Sequence, residues 1–266
     1  MSGPILIFDS GVGGLSVVKA LREQMPGAPL AYVCDNAALP YGTKPDIWLV
    51  QRIVQVCRAA VAASGARVLV VACNTASTLA LDALRAALTI PVVGTVPAIK
   101  PAAALSRSGV IGLLATSATV TRPYTDNLIR DFAGHCTVVR VAADGLVEQA
   151  ERLLAGEPVD GAVIDAGLAP LWHAPTLDTV VLGCTHFPLL RDRLDARAPR
   201  PLQWVDSGSA IARRVAQVAG AVEENRPEHL APAWATDPRP AGLPHGFRAF
   251  GFAPPVALSV PLPQPV

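Results

Sequence analysis

Two cysteines in this 266-residue chain stand at the ends of matching stretches. Val68-Leu69-Val70-Val71-Ala72 runs into Cys73, Asn74 and Thr75, and Thr179-Val180-Val181-Leu182-Gly183 runs into Cys184, Thr185 and His186. A thiolate removes protons and a thiol delivers them. Two such groups on opposite faces of one carbon can invert a stereocentre, such as the α-carbon of an amino acid. A free thiol near pH 7 is ionised only to a few per cent. The member acting as base therefore needs a cation, a hydrogen-bond network or a helix N-terminus beside it. Each cysteine directly precedes what reads as a helix start, where the partial positive charge favours an anion. Asp9, at the end of another apolar run, can relay a proton or hold a substrate ammonium near Cys73. His186 can serve in the same way beside Cys184.

Taken singly, a cysteine at the end of an apolar run is more often core than catalyst. Two in the same context, each followed by polar residues, reverse that preference. A Cys-x-His metal half-site at Cys184–His186 has no Cys-x-x-Cys or second histidine cluster to complete it, so no metal is expected. Asp9-Ser10-Gly11-Val12-Gly13-Gly14 fits neither G-x-G-x-x-G nor the P-loop spacing. A pyridoxal cofactor needs a Schiff-base lysine, and neither Lys19, Lys44 nor Lys100 has a setting that suits one. The chemistry is expected to need no cofactor. Cys57 falls at helical spacing with Ile53, Val54 and Val61, and Cys136 opens a strand-like run; both read as core.

The elements that must position these groups follow from hydrophobic patterning. Short apolar runs with abrupt polar stops read as strands buried on both faces of a parallel sheet, with ligands beyond their carboxyl ends. Such runs occur at Ile5–Phe8, Leu30–Cys34, Val68–Val71 and Pro91–Gly94. Helices separate them: one through Leu15 to Leu21, one from Asp46 closed by Gly65, and one through Leu79 and Leu84, capped by Thr75 or Ser77. Pro40-Tyr41-Gly42-Thr43 reads as a loop. The pattern restarts at Gly109. Strands over Val110–Leu114, Thr137–Val141 and Thr179–Leu182 alternate with helices through Tyr124–Phe132, Leu146–Leu154 and Gly161–Leu171. Each half takes about seventy residues from its first strand to its cysteine, which fits a duplicated β-α-β-α-β unit.

Gln203–Asp206 reads as a return strand, and Asp206 or Ser207 caps a helix through Ile211, Val215 and Val218. Beyond Gly220 the chain is rich in proline; Ala233–Thr236 and Ala257–Val260 are candidate edge strands, and Pro261–Val266 is expected to fray.

Composition narrows the class of function. At 51% apolar and 16% charged residues the chain is globular, which excludes disorder and coiled coil. A net charge of +1, with basic residues scattered, gives no footprint for nucleic acid or an anionic membrane. The sequence has no 18-residue apolar run and no signal-peptide pattern, so a cytoplasmic location is expected. Five cysteines without an export signal are expected to stay reduced.

Four blocks then carry a resemblance. Phe8-Asp9-Ser10-Gly11-Val12-Gly13-Gly14-Leu15-Ser16-Val17, Pro40-Tyr41-Gly42, Ala72-Cys73-Asn74-Thr75-Ala76-Ser77 and Gly183-Cys184-Thr185-His186-Phe187-Pro188 resemble, in order and spacing, the signature blocks of the glutamate racemases. The wider aspartate/glutamate racemase superfamily shares the paired cysteines, and the first two blocks point to its glutamate branch. The resemblance implies racemisation of L- and D-glutamate for peptidoglycan precursors without a cofactor. By that likeness Cys73 takes the proton from the D-enantiomer and Cys184 from the L-enantiomer. Asp9, Asp35 and His186 would assist proton transfer, joined by a mid-chain glutamate matched to Glu151, with Glu148 as its rival. Ser10, Tyr41, Gly42, Asn74, Thr75 and Thr185 would bind substrate, together with Asp9 and His186.

The expected fold is two similar α/β domains with central, mostly parallel sheets, related by a pseudo-twofold axis, with the active site in the cleft between them. Residues 1–96 plus 204–266 would form the first domain and residues 97–203 the second. A homodimer is implied by the resemblance. Val96-Pro97-Ala98-Ile99-Lys100-Pro101 resembles a proteobacterial subgroup in which some members need a UDP-muramyl peptide activator and carry an N-terminal extension. With Asp9 so near Met1, activity without that activator is expected. Two other readings use the same cysteines: a racemase of aspartate or a hydantoin, and a thiol redox or metal-binding regulator.

Overall fold

β-branched and leucine runs that are apolar on both faces can be covered only where helices pack against each side of a parallel sheet. The computed structural model describes residues 3–220 and 229–263 and builds two such sheets. The first half contributes β1 (Ile5–Asp9), β2 (Leu30–Cys34), β3 (Val68–Val71) and β4 (Val92–Val93), with every residue of the first three buried. Between them run α1 (Leu15–Gln24), α2 (Asp46–Ser64) and α3 (Asn74–Ala87).

After α4 (Ile99–Leu105), the second half runs through β5 (Val110–Ala115), α5 (Ser117–Val120), α6 (Pro123–Ala133) and β6 (Thr137–Ala142). It continues with α7 (Gly145–Leu154), α8 (Gly161–Leu168), β7 (Thr179–Leu182), α9 (Arg191–Asp195) and β8 (Gln203–Val205). The chain then adds α10 (Gly208–Ala219), β9 (Ala233–Ala235), α11 (Leu243–Ala249) and β10 (Val256–Ala257).

The strand order is β10-β9-β2-β1-β3-β4 in one sheet and β6-β5-β7-β8 in the other, and the strand pairs are parallel throughout. Without β9 and β10 the two sheets have the same order: second strand, first, third, fourth. The duplication faint in the sequence is therefore plain in the topology. In such an order the connections diverge to opposite faces between the first and third strands, and a crevice opens at their carboxyl ends. Asp9 ends β1, Cys73 follows β3, and Cys184 follows β7.

Each sheet has a core on both faces. In the first, α1, α10 and the tail cover one side, where Tyr32, Phe247 and Phe252 meet edge to face. Helix α2 covers the other, with Leu49, Ile53, Val56, Cys57 and Ala60 buried. That burial accounts for α2 being long and apolar enough, by length and composition, to cross a bilayer.

The structure departs from the sequence reading in several places. Helix α3 begins at Asn74, so Thr75 and Ser77 lie inside its first turns rather than capping it. Ser77 instead donates to the Val71 carbonyl at 2.9 Å and accepts the Thr95 N–H at 2.9 Å, tying the ends of two strands. Cys184 does not open an α-helix: a 3-10 turn at Phe187–Leu190 comes before α9. Gln203–Val205 is the fourth strand of the second sheet, so the chain crosses back only after it, at Asp206. Of the two residues expected to cap α10, Asp206 does the bonding, accepting the Gly208 N–H at 2.7 Å. Helix α8 ends at Leu168, where the chain tightens into a 3-10 turn containing Pro170. Pro261 is tied down rather than frayed, its carbonyl accepting from Arg52 Nη1 at 3.1 Å; residues 264–266 of that segment lie outside the described residues.

Candidate active site

The loop after β1 is where the halves meet. Asp9 is fully buried, and its Oδ1 accepts the Gly11 N–H at 3.2 Å and the Ser10 hydroxyl at 3.3 Å. Its Oδ2 accepts the hydroxyl of Thr185, from the other half, at 3.0 Å. Burial pushes the Asp9 carboxyl up, while the positive charge of His186 and the Gly11 and Thr185 hydrogen bonds pull it down; burial wins. The glycines of this loop admit the second half. A Cβ on Gly11 would collide with Glu151 Oε1, and one on Gly13 would come within 2.5 Å of His186 Nδ1.

Cys73 stands at the N-cap of α3, 7% exposed, with its sulfur 3.7 Å from Ser10 Oγ. Burial raises its thiol to about 12, and the nearby Asp9 charge adds to the rise against hydrogen bonds from Ala76 and Ser10. The helix N-terminus does not offset burial here, so Cys73 rests as a thiol at neutral pH.

On the other side, Cys184 Sγ lies 3.7 Å from His186 Nδ1, and His186 Nε2 lies 2.7 Å from Glu151 Oε1. The same Glu151 oxygen accepts the Val12 N–H at 2.9 Å, so a carboxylate from α7 is fixed by the glycine loop of the first half. Burial opposes charge on the His186 ring, but its contacts with Cys184 and Glu151 prevail and hold its pKa well above the usual histidine value. A ring that keeps its proton can donate toward the Cys184 sulfur. Glu148 stands exposed on the cavity wall, whereas Glu151 reaches the ring.

Both cysteines line one cavity of about 840 Å³. Ser10, Tyr41, Gly42, Asn74, Thr75, Thr185, His186 and Glu151 line it too, so most of the expected site residues converge. Asn74 Oδ1 is buried on this wall with no hydrogen-bond partner among the described residues, which leaves an acceptor for a ligand N–H.

Asp35 departs from expectation. It does not line the cavity; Arg52 Nη2 binds its Oδ1 at 2.7 Å with both side chains buried, and Tyr41 and Thr236 donate to it at 2.8 Å each. A carboxylate so fully paired is an anchor rather than a proton shuttle. The Tyr41 hydroxyl thereby spends its proton on Asp35.

Several lining residues were missed from sequence. Thr116, Ser117 and Thr119 follow β5, and Asp144 accepts the Ser117 hydroxyl at 3.0 Å and its N–H at 3.1 Å. The strand-end argument used for β1, β3 and β7 applies equally to β5 and would have found Thr116. Arg152 and the tail residues Pro240–Leu243 and Gly246 also line the cavity, and no local pattern marks them.

The sequence profile of the Asp/Glu/hydantoin racemase family matches residues 15–215. A glutamate racemase of Shewanella loihica is 47% identical over 252 residues, spanning 95% of this chain and 94% of the relative. The crystal structure of Escherichia coli glutamate racemase with L-glutamate and the activator UDP-MurNAc-Ala has a TM-score of 0.90 at 41% identity, over 97% of this chain and 99% of that one. A glutamate racemase isoform from Bacillus anthracis has a TM-score of 0.78 at 27% identity, over 98% of this chain and 99% of its own.

Proposed function

The chain belongs to the Asp/Glu/hydantoin racemase family, and from that premise we propose that it interconverts L- and D-glutamate by a two-thiol acid/base mechanism. One observation carries the reading: thiols from the two duplicated halves line a single cavity, each with its own polar support. Cys73 is backed by Ser10 and Asp9, and Cys184 by His186 and Glu151.

With L-glutamate, the Cys184 thiolate takes the α-proton and the Cys73 thiol delivers its own to the opposite face. The product leaves with Cys184 protonated and Cys73 ionised, which is the state that D-glutamate requires. A resting Cys73 thiol therefore suits the L-enantiomer first. The carbanionic centre passes between two sulfurs without a Schiff base, which accords with none of Lys19, Lys44 and Lys100 lining the cavity. Asn74 and Thr75 at the start of α3, Thr185, and the Tyr41–Gly42 backbone hold the substrate's carboxylates and ammonium. Asp35 acts through Tyr41 as a positioning residue. The D-glutamate made would supply peptidoglycan precursors in a reducing cytoplasm, which suits five free cysteines. The active species is taken to be a homodimer, without a nucleic-acid or membrane partner; sedimentation velocity checks that state.

The test is incubation with L- or D-glutamate in heavy water without added cofactor, following optical rotation and α-deuterium together. Racemisation with exchange is expected, abolished or slowed by orders of magnitude in Cys73→Ala and Cys184→Ala. Full activity in either variant, or turnover of aspartate in preference to glutamate, defeats the reading.

A further inference from the structure

The walls of the cavity carry an electrostatic contradiction. A substrate with two carboxylates and one ammonium is a net anion, yet Asp144, Glu148 and Glu157 stand exposed on the cavity walls. Glu151, deeper in, is already matched by His186. Among the described lining residues Arg152 is the one lysine or arginine.

Arg152 sits in the last turn of α7, with its side chain 37% exposed. Its nearest acid is Glu157, with Nε 3.7 Å from Oε2, an ion-pair distance too long for a hydrogen bond. Arg152 Nε is buried yet has no hydrogen-bond partner among the described residues. The Glu157 backbone is fixed to the same turn by its N–H donating to the Arg152 carbonyl at 2.8 Å. Arg152 thus lines the cavity with a loose, solvent-screened partner, an arrangement worth little as a salt bridge. A planar guanidinium can exchange such a partner for a carboxylate that it binds through two parallel N–H bonds.

We propose that Arg152 is the residue that admits anionic substrate, capturing a substrate carboxylate at the cavity mouth and offsetting the acids around it, with Glu157 as the competitor it releases. The role rests on the glutamate reading and adds to it the selection of an acidic side chain. Arg152 does not touch the reacting carbon, so its effect falls on capture rather than on the proton transfers.

The test compares wild type, Arg152→Gln, Arg152→Lys and Glu157→Gln, with L- and D-glutamate at low and high potassium chloride. Arg152→Gln should raise KM about five- to tenfold, change kcat by less than about twofold, and flatten the salt dependence of kcat/KM. Arg152→Lys should recover most of the KM, and Glu157→Gln should lower KM about twofold. Calorimetric Kd values for D-glutamate, measured with Cys73→Ala and Cys184→Ala added to each protein so that no racemisation occurs, should move in parallel. An unchanged KM and Kd in Arg152→Gln, or a loss confined to kcat, overturns the proposal. Should Arg152→Gln fail to fold, the exposed Glu157→Gln decides, and an unchanged or raised KM there overturns it as well. These Kd shifts among the variants, with a wild type that does not racemise glutamate, defeat the parent reading alone.

Discussion

His186 and Glu151 share a 2.7 Å hydrogen bond across α7 and the strand end that carries Cys184, and the other ring nitrogen faces that sulfur at 3.7 Å. The carboxylate is one reason the ring's pKa stands well above the usual histidine value. In Glu151→Gln that support is lost and the ring's pKa falls. The limb of the pH–rate profile that needs a protonated His186 should then move to lower pH, with kcat down about ten- to a hundredfold. A profile that keeps its position would show that Glu151 does not act through the ring.

Asp9 stands behind Ser10 on the Cys73 side, and in the proposed mechanism Cys73 must lose its proton before it can act on D-glutamate. Asp9→Asn keeps the shape but cannot accept that proton. Turnover from D-glutamate should fall about a hundredfold, and α-deuterium exchange from the D side should fall more than from the L side. Equal losses in both directions would assign Asp9 to substrate binding alone.

Folded Cys73 holds its proton up to about 12, against a value near 9.0 for a free thiol. Cys34, Cys57, Tyr32 and Tyr41 are likewise pushed up, chiefly by burial. Between the unfolded and folded values the native state binds more protons than the unfolded chain, so stability falls as pH rises. The thermal midpoint should therefore drop steadily above pH 9.0. Cys73→Ser should make that slope shallower. A midpoint that stays level from neutrality through this range would contradict the burial of these groups.

Arg52 neutralises Asp35 in the core and donates to the carbonyls of Val260 and Pro261 at 3.1 Å each. Arg52→Met strands a buried carboxylate and should cost about 3–5 kcal/mol in urea unfolding. Adding Asp35→Asn should restore part of that loss, because the orphaned charge is then gone. A double variant no better than the single one would place the loss in the tail contacts instead.

Much of this architecture could be read from the chain because its strands are short apolar runs with abrupt polar ends. Val68–Val71 before Cys73 and Thr179–Leu182 before Cys184 are such runs, and the cavity opens where they stop. What could not be read depends on partners distant in sequence. Asp35 looks like any strand-end acid until Arg52, on the opposing helix, is seen to occupy it. Gln203–Val205 has the pattern of a strand, but hydrophobic period does not say which sheet receives it. Helix starts at Cys73 and Cys184 looked equivalent, yet Pro188 stands in a 3-10 turn where the second α-helix was expected.

The tail has a consequence for how activity emerges during synthesis. Pro240–Leu243 and Gly246 finish one wall of the cavity, and a Cβ on Gly242 would collide with Ala155 at the end of α7. Both sulfurs leave the ribosome well before that wall does. A nascent polypeptide thus carries both cavity thiols while their chamber is still unroofed, and under the proposed mechanism competence arrives only when the segment around α11 docks.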